Sequence, residues 1–442
     1  MPFRNPFRSK PRFTIKPEEE EFLIECFCYF GGRYGPIVPG AAPVTFDAAH
    51  FPQTFTVPNV QPGTVLADLR NILSIPTSLN INFEWLPDFS DAQLPHQEYG
   101  ERALSVTHPS IDGSYRIDLR QVLQRQPGQL VHQLILETSY IRQHIAGEPA
   151  ATLMDAAAPD YFILAAVYFG FGPLLSHHIV SVGRAENGGW ERGWSHADDI
   201  DPALFTYAVA AHAHLGQNEN HPAYAQLAPD TARDFTAALQ RIAKVSLTPC
   251  TADEVTATDL CIRAERLEGA DADLNSAALF REAAQLKRDT ELAASAANNY
   301  GYALLLREQF SASRPYFEEA IQLDPNQAYP YDNLAYSYLR TNQPELAKPC
   351  LEQAAKREHA PGFHHRNWAL YYLSQTDCPR AERHFTIAFQ RAQLPVDQLD
   401  VHYAQLLLAT ERKEEAVKIL RRKAEDGDVL AKRLLTADHL LD

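Results

Sequence analysis

The side chains that could do chemistry in this chain gather between Leu130 and His178. His132 stands on a predicted helix over 127–145, PGQLVHQLILETSYIRQHI, with Glu137 five residues on and His144 twelve on. Metal or acid–base chemistry asks such groups to converge. At helical geometry Glu137 lies about 140° around the axis from His132, and His144 about 18 Å along it, so neither joins His132 directly. His177 and His178 follow Pro173 and could fold back, with Glu148, Asp155 and Asp160 between. A metal site rebuilt from His132, Asp160 and His177 is one arrangement these residues allow. The bland alternative is a buried histidine beside surface ones. Six cysteines (Cys26, Cys28, Cys250, Cys261, Cys350, Cys378) form no CxxC pair, and Cys26 and Cys28 point apart on one helix. No GxSxG, P-loop or GxGxxG motif offers another chemistry.

The elements that must position these residues read as an α+β domain over 18–245. Helices are expected at Glu18–Phe30, with four glutamates in the first turn, and at Thr64–Leu73. A β-like piece falls at Thr54–Val57. Strands are expected at Leu79–Trp85, Ala103–Thr107 and Ser114–Leu119, the last two flanking an Asp112-Gly113 turn. Leu130, Val131, Leu134, Ile135 and Ile141 form the apolar stripe of the 127–145 helix. A nearly all-apolar helix runs from Pro159 to Leu175. It is too short for a membrane span and reads as a core helix. Gly183–Ser195 reads as a loop, Pro202–Leu215 and Pro229–Lys244 as helices, and Val245–Glu254 as a linker.

The order of these pieces resembles the N-terminal domain of bacterial zinc-peptidase-like proteins. The resemblance is carried by SYRIDLRQVLQRQPGQLVHQLILE, AAVYFGFGPLL and GWSHADDIDPALFTYAVAAHAHL. In a His-Glu-x-x-His helix two histidines bind zinc and the glutamate acts as general base. Here those places hold His132, Gln133 and Leu136, and the place of the acidic ligand falls among Tyr161, Phe162 and Ile163. The resemblance therefore implies a degenerate, zincin-like domain with no catalytic residue, no metal and no cofactor, His132 being the remnant. The alternative is a metal-dependent hydrolase with an unconventional zinc site around His132.

Downstream the chain repeats. ANNYGYALLLREQFSASRPYFEEAIQLDP, from Ala297, reads as two amphipathic helices about the polar break Arg307-Glu308-Gln309, with small Gly301 and Ser313 twelve apart where the backbones would approach. The pattern returns thirty-four residues on at Tyr331 (Ala335, Ala347) and again at His365 (Ala369, Ala381). Looser units open at Asp400 (Ala404, Ala416) and upstream at Leu260 (Ala264, Ser276). This resembles the tetratricopeptide repeat family, and implies an all-α solenoid of about five helix pairs over 256–426 with a capping helix over 427–442. The resemblance places groove-facing side chains at Asn298, Tyr302, Asp332, Tyr336, Arg340, Arg366 and Leu370. Asn298 and Tyr302 stand where chaperone-binding repeats carry lysine and asparagine, so that clamp is not evident. Arg340 and Arg366 could hold an acidic or C-terminal group. Asn299, Asn333 and Asn367 read as structural positions.

A hydrophobic fraction of 45% with 22% charged residues excludes wholesale disorder. A net charge of −16 argues against nucleic acid and anionic membranes as partners. The first residues are basic without an apolar run, so 1–17 reads as a disordered tail rather than a secretory signal. Scattered cysteines suit a reducing compartment, and the expected location is cytoplasmic. The function that follows is non-catalytic binding of a protein or peptide in the repeat groove.

Overall fold

A computed structural model describes residues 13–88, 104–149, 159–177, 182–184, 190–192, 200–267, 272–357, 361–392 and 395–437. The chain divides into two compact units, Met1–Val255 and Thr256–Asp442.

The first unit is mostly helical around a small sheet. Helices α1 (Pro17–Tyr34), α2 (Pro62–Leu73) and α3 (Pro127–Ile145) all open on a proline, whose missing N–H costs nothing in a first turn. Strands β1 (Ile81–Leu86), β2 (Ser105–Pro109) and β3 (Tyr115–Arg120) form a three-stranded sheet in the order β1-β3-β2. In it β1 runs parallel to β3, and β2 antiparallel. The helix α3 is buried all round from Leu130 to Ile141, not along one stripe. Its polar face is matched instead of exposed. Ser105 and Thr107 on β2 place their hydroxyls 2.6 Å from the two carboxylate oxygens of Glu137.

The expected helix over 159–175 is bent. Pro159–Ala166 (α4) leads into a π-turn over Val167–Phe171, and Gly172–Leu175 (α5) resumes beyond it. Gly170 has φ +98°, a conformation that side-chain-bearing residues rarely adopt, and its carbonyl accepts the Val44 N–H at 2.9 Å. Helices α6 (Pro202–Leu215) and α7 (Pro229–Ile242) complete the core. Arg241 binds Glu20 of α1 with both guanidinium ends, and Tyr207 donates to the same carboxylate at 2.6 Å.

Three expectations need correction. Thr54–Thr56 is a 3-10 turn, because the buried Asp68 carboxylate accepts the N–H groups of Gln53 and Thr54 at 2.9 and 2.8 Å. Within the expected 183–195 loop, β4 (Val182–Arg184) and β5 (Trp190–Arg192) pair antiparallel. Of the expected tail, 1–12 lies outside the described residues, but Ile15 is in the core and Phe13 stacks on Tyr207 with ring centroids 5.9 Å apart.

The second unit is a succession of helix pairs: α8 (Ala252–Glu265) and α9 (Ala272–Lys287), α10 (Thr290–Leu306) and α11 (Phe310–Leu323), α12 (Tyr329–Arg340) and α13 (Pro344–Ala354), α14 (Pro361–Ser374) and α15 (Cys378–Arg391), α16 (Leu399–Ala409) and α17 (Lys413–Glu425), then α18 (Val429–Ala437). The thirty-four-residue register recurs in the turns. Glu308, Asn342 and Thr376 all have φ of +57 to +58°. In each turn the next N–H reaches back to the carbonyl five residues earlier: Gln309 to Leu304, Gln343 to Tyr338, Asp377 to Tyr372, at 2.9–3.0 Å. That bond closes the end of the first helix. The small residue at Gly301 serves a side chain rather than the Ser313 backbone. A Cβ there would stand 2.7 Å from the ring of Phe317, which is fully buried.

Thr376 is β-branched in a left-handed turn, so Thr376→Gly should raise stability by roughly 1 kcal/mol. Gly301→Val, which must displace the Phe317 ring, should lower it by about 2 kcal/mol. Urea denaturation of the full chain checks both signs.

Candidate functional site

His132 is buried, and the seven expected groove positions are buried or half-buried. In the first unit His132 is buried in α3 at 2% exposure. His177 lies exposed after α5, its Nε2 2.7 Å from the Gln226 carbonyl. His178 and Asp155 lie outside the described residues. The arrangement of His132 with Asp160 and His177 is not formed, and among the described residues no three His, Cys, Asp or Glu side chains converge for a metal ion. Gln133 points at Ser105, its Oε1 2.7 Å from the hydroxyl. Since that hydroxyl has one proton and Glu137 accepts it, the amide is better turned to donate its N–H to Ser105.

In the second unit the inner side chains do converge. Tyr336 on α12 is the hub. Arg340 Nη1, one turn on, donates to its hydroxyl at 2.7 Å. The Arg366 guanidinium from α14 lies over its ring at 4.0 Å. His402 of α16 meets the hydroxyl at 2.9 Å through Nε2 and Gln405 Oε1 at 2.9 Å through Nδ1. The tautomer follows: Nδ1 carries the proton for Gln405, and Nε2 accepts from Tyr336. Burial, then the positive charges of Arg366 and Arg340, push the His402 pKa down to about 3, so the ring is neutral.

Asp332 is held in a second, buried chain. Trp368 Nε1 donates to His364 Nε2 at 3.0 Å, which leaves Nδ1–H for the Asp332 carboxylate at 2.8 Å. Asn367 donates to the Asp332 carbonyl at 2.9 Å, and Asn333 to Asn298 Oδ1 at 3.0 Å, tying successive first helices together. Leu370 packs beside Leu305, Phe317, Leu334 and Tyr336.

Residues the sequence reading missed complete the network. Asp397 and Gln398, in the connector between α15 and α16, sit among the groove positions. Tyr302 donates to the Asp397 carboxylate. Arg366 Nη1 donates to the Asp397 main-chain carbonyl, and Arg340 Nη1 to Gln398 Oε1, both at 2.9 Å. Glu308 then lies 3.6 Å from Arg340 and 2.5 Å from Arg433 of α18. No local signal in the sequence marks the connector, since these contacts reach across 31 to 95 residues.

A family model described as tetratricopeptide repeat matches residues 294–327 and 328–358, so the chain carries two such repeats there. Two solved structures are similar. One is a tetratricopeptide repeat protein from Parabacteroides merdae ATCC 43184, 13% identical over 69% of this chain and 97% of that one, with a TM-score of 0.31. The other is the APC/C hetero-tetramer Cut9–Hcn1, 10% identical over 71% and 77% of the two chains, with a TM-score of 0.25. No curated protein matches the chain.

The neutral His402 sets a pH dependence. Its folded pKa lies below the ordinary 6.5, so below that value the unfolded chain binds a proton that the folded chain does not, and stability falls with pH. Asp397, whose pKa burial raises, offsets part of this. His402→Gln should make the fall between pH 6.5 and 5 shallower by on the order of 1 kcal/mol per pH unit. Denaturation at three pH values measures it.

Proposed function

We propose that this chain is a non-catalytic interaction scaffold whose repeat unit holds an extended acidic segment of a partner protein along its inner face. The observation that carries this reading is the pair of arginines. Arg340 and Arg366 flank Tyr336 on the first helices of successive hairpins, and Tyr302 and Leu370 pack against the same cluster. Planar guanidinium groups suit carboxylates, and tyrosine and asparagine can bond a peptide's main chain. The net charge of −16 leaves this basic pair in contrast with the rest of the chain and disfavours nucleic acid or an anionic membrane as the partner. Among the described residues no helix is long and apolar enough to cross a membrane.

The first unit is a further interaction surface in this reading, with His132 a core residue rather than a ligand. Metal analysis of the purified chain should show no zinc content that changes on His132→Ala. Stoichiometric zinc lost with that histidine would favour the hydrolase alternative.

The groove reading is tested by displaying random peptides against the full chain. Acidic sequences should be enriched, and Arg340→Glu should weaken them at least tenfold. Selection of apolar or basic peptides, or binding indifferent to Arg340→Glu, would place recognition elsewhere.

A further inference from the structure

The segment that fills the inner face makes the contacts of a bound peptide. Residues 395–398 present a carboxylate to Tyr302, a main-chain carbonyl to Arg366 and an amide oxygen to Arg340. Val396 is seated against Gly362 so closely that a Cβ there would come within 2.7 Å of its methyl. Gln398 turns the chain into α16 in the left-handed region, at φ +54°.

This internal occupant matches its site imperfectly. Arg366 is 3% exposed, and its hydrogen-bond acceptors are the Asn367 amide oxygen, at 2.9 and 3.1 Å, and the Asp397 carbonyl. None of them bears a formal charge. The one carboxylate of the segment is bonded instead to the neutral Tyr302 hydroxyl. A buried guanidinium gains most from a carboxylate in its own plane. If a peptide ended at the position of Asp397, its terminal carboxylate would stand where that carbonyl now meets Arg366, with its acidic side chain still at Tyr302.

Resting on the groove reading above, we infer that residues 395–398 are an internal ligand holding the groove shut, and that the partner displaces them with a C-terminal acidic residue. The displacement is a competition. A tethered segment acts at an effective concentration in the millimolar range, so the intact chain binds such a terminus weakly, and freeing the groove strengthens binding without adding a contact.

The test uses the full chain and fluorescein-labelled GSGPVD with a free C-terminus, the same peptide amidated, and GSGPVDQL amidated, followed by anisotropy. The double variant Asp397→Ala, Gln398→Ala, which removes both side-chain contacts without the relief that glycine would give the left-handed bend, should bind the free-ended probe at least tenfold tighter than the unaltered chain. The amidated probes should gain less, and Arg366→Met in the double-variant background should abolish the gain. Should both amidated probes bind as tightly as the free-ended one, a side-chain carboxylate would suffice and the C-terminal assignment would fall. Equal binding by the unaltered and double-variant chains would overturn the internal ligand and leave the groove reading standing. Binding untouched by Arg366→Met, or none by either chain at about 1 mM probe, the scale of the effective concentration, would overturn both. Should the double variant not fold, hydrogen exchange on the unaltered chain decides. Saturating probe must speed exchange at the Val396 to Gln398 amides, and unchanged exchange overturns the proposal.

Discussion

A guanidinium with almost no solvent contact must find acceptors inside the protein, and Arg366 arranges the inner face of the repeat unit around that need. Its donors reach Asn367 and the Asp397 carbonyl while its flat face lies on Tyr336. Each of these then constrains a neighbour. Tyr336 must give its proton to His402, which is kept neutral by the same burial and by the two arginines. Buried polar groups of this kind stabilise only when every member is bonded, so the network acts as a unit.

The outer architecture follows a different rule. A hairpin of two amphipathic helices cannot bury its apolar face alone, and each one lends the next a layer of small and large side chains. Gly301 beneath Phe317, and Ala369 and Ala381 beside Phe385, are that layer. The left-handed residue at each turn belongs to the same periodic set. Periodicity thus builds the solenoid, whereas the polar inner face is where the hairpins stop being alike: Arg366, His402 and Asp397 each occur once in the network.

That contrast explains what could be read in advance. The repeat register, the first-helix positions and the bounds of Pro127–Ile145 and Pro202–Leu215 were legible, because they depend on local spacing and on prolines that open helices. What escaped were effects of tertiary contact. The Asp68 carboxylate folds residues 54–56 into a 3-10 turn from across 14 and 15 residues. Gly170 bends a helix whose composition reads as continuous. Ile15 enters the core from a stretch whose charge suggested a tail. The approach of Asp397 to Tyr302 depends on the summed rotation of several hairpins, and no window of sequence contains it.

The first unit applies the same physical rule to different ends. Its α3 carries Glu137 into the core, where Ser105 and Thr107 on β2 supply a hydroxyl for each carboxylate oxygen. Gln133, where a general base would stand in a zinc peptidase, closes that network through Ser105 and so has a packing role that glutamate could not fill: a second carboxylate there would face Glu137 across one hydroxyl, and two like charges cannot share that site without one taking up a proton. A neutral amide at this position therefore fits beside the buried Glu137 carboxylate.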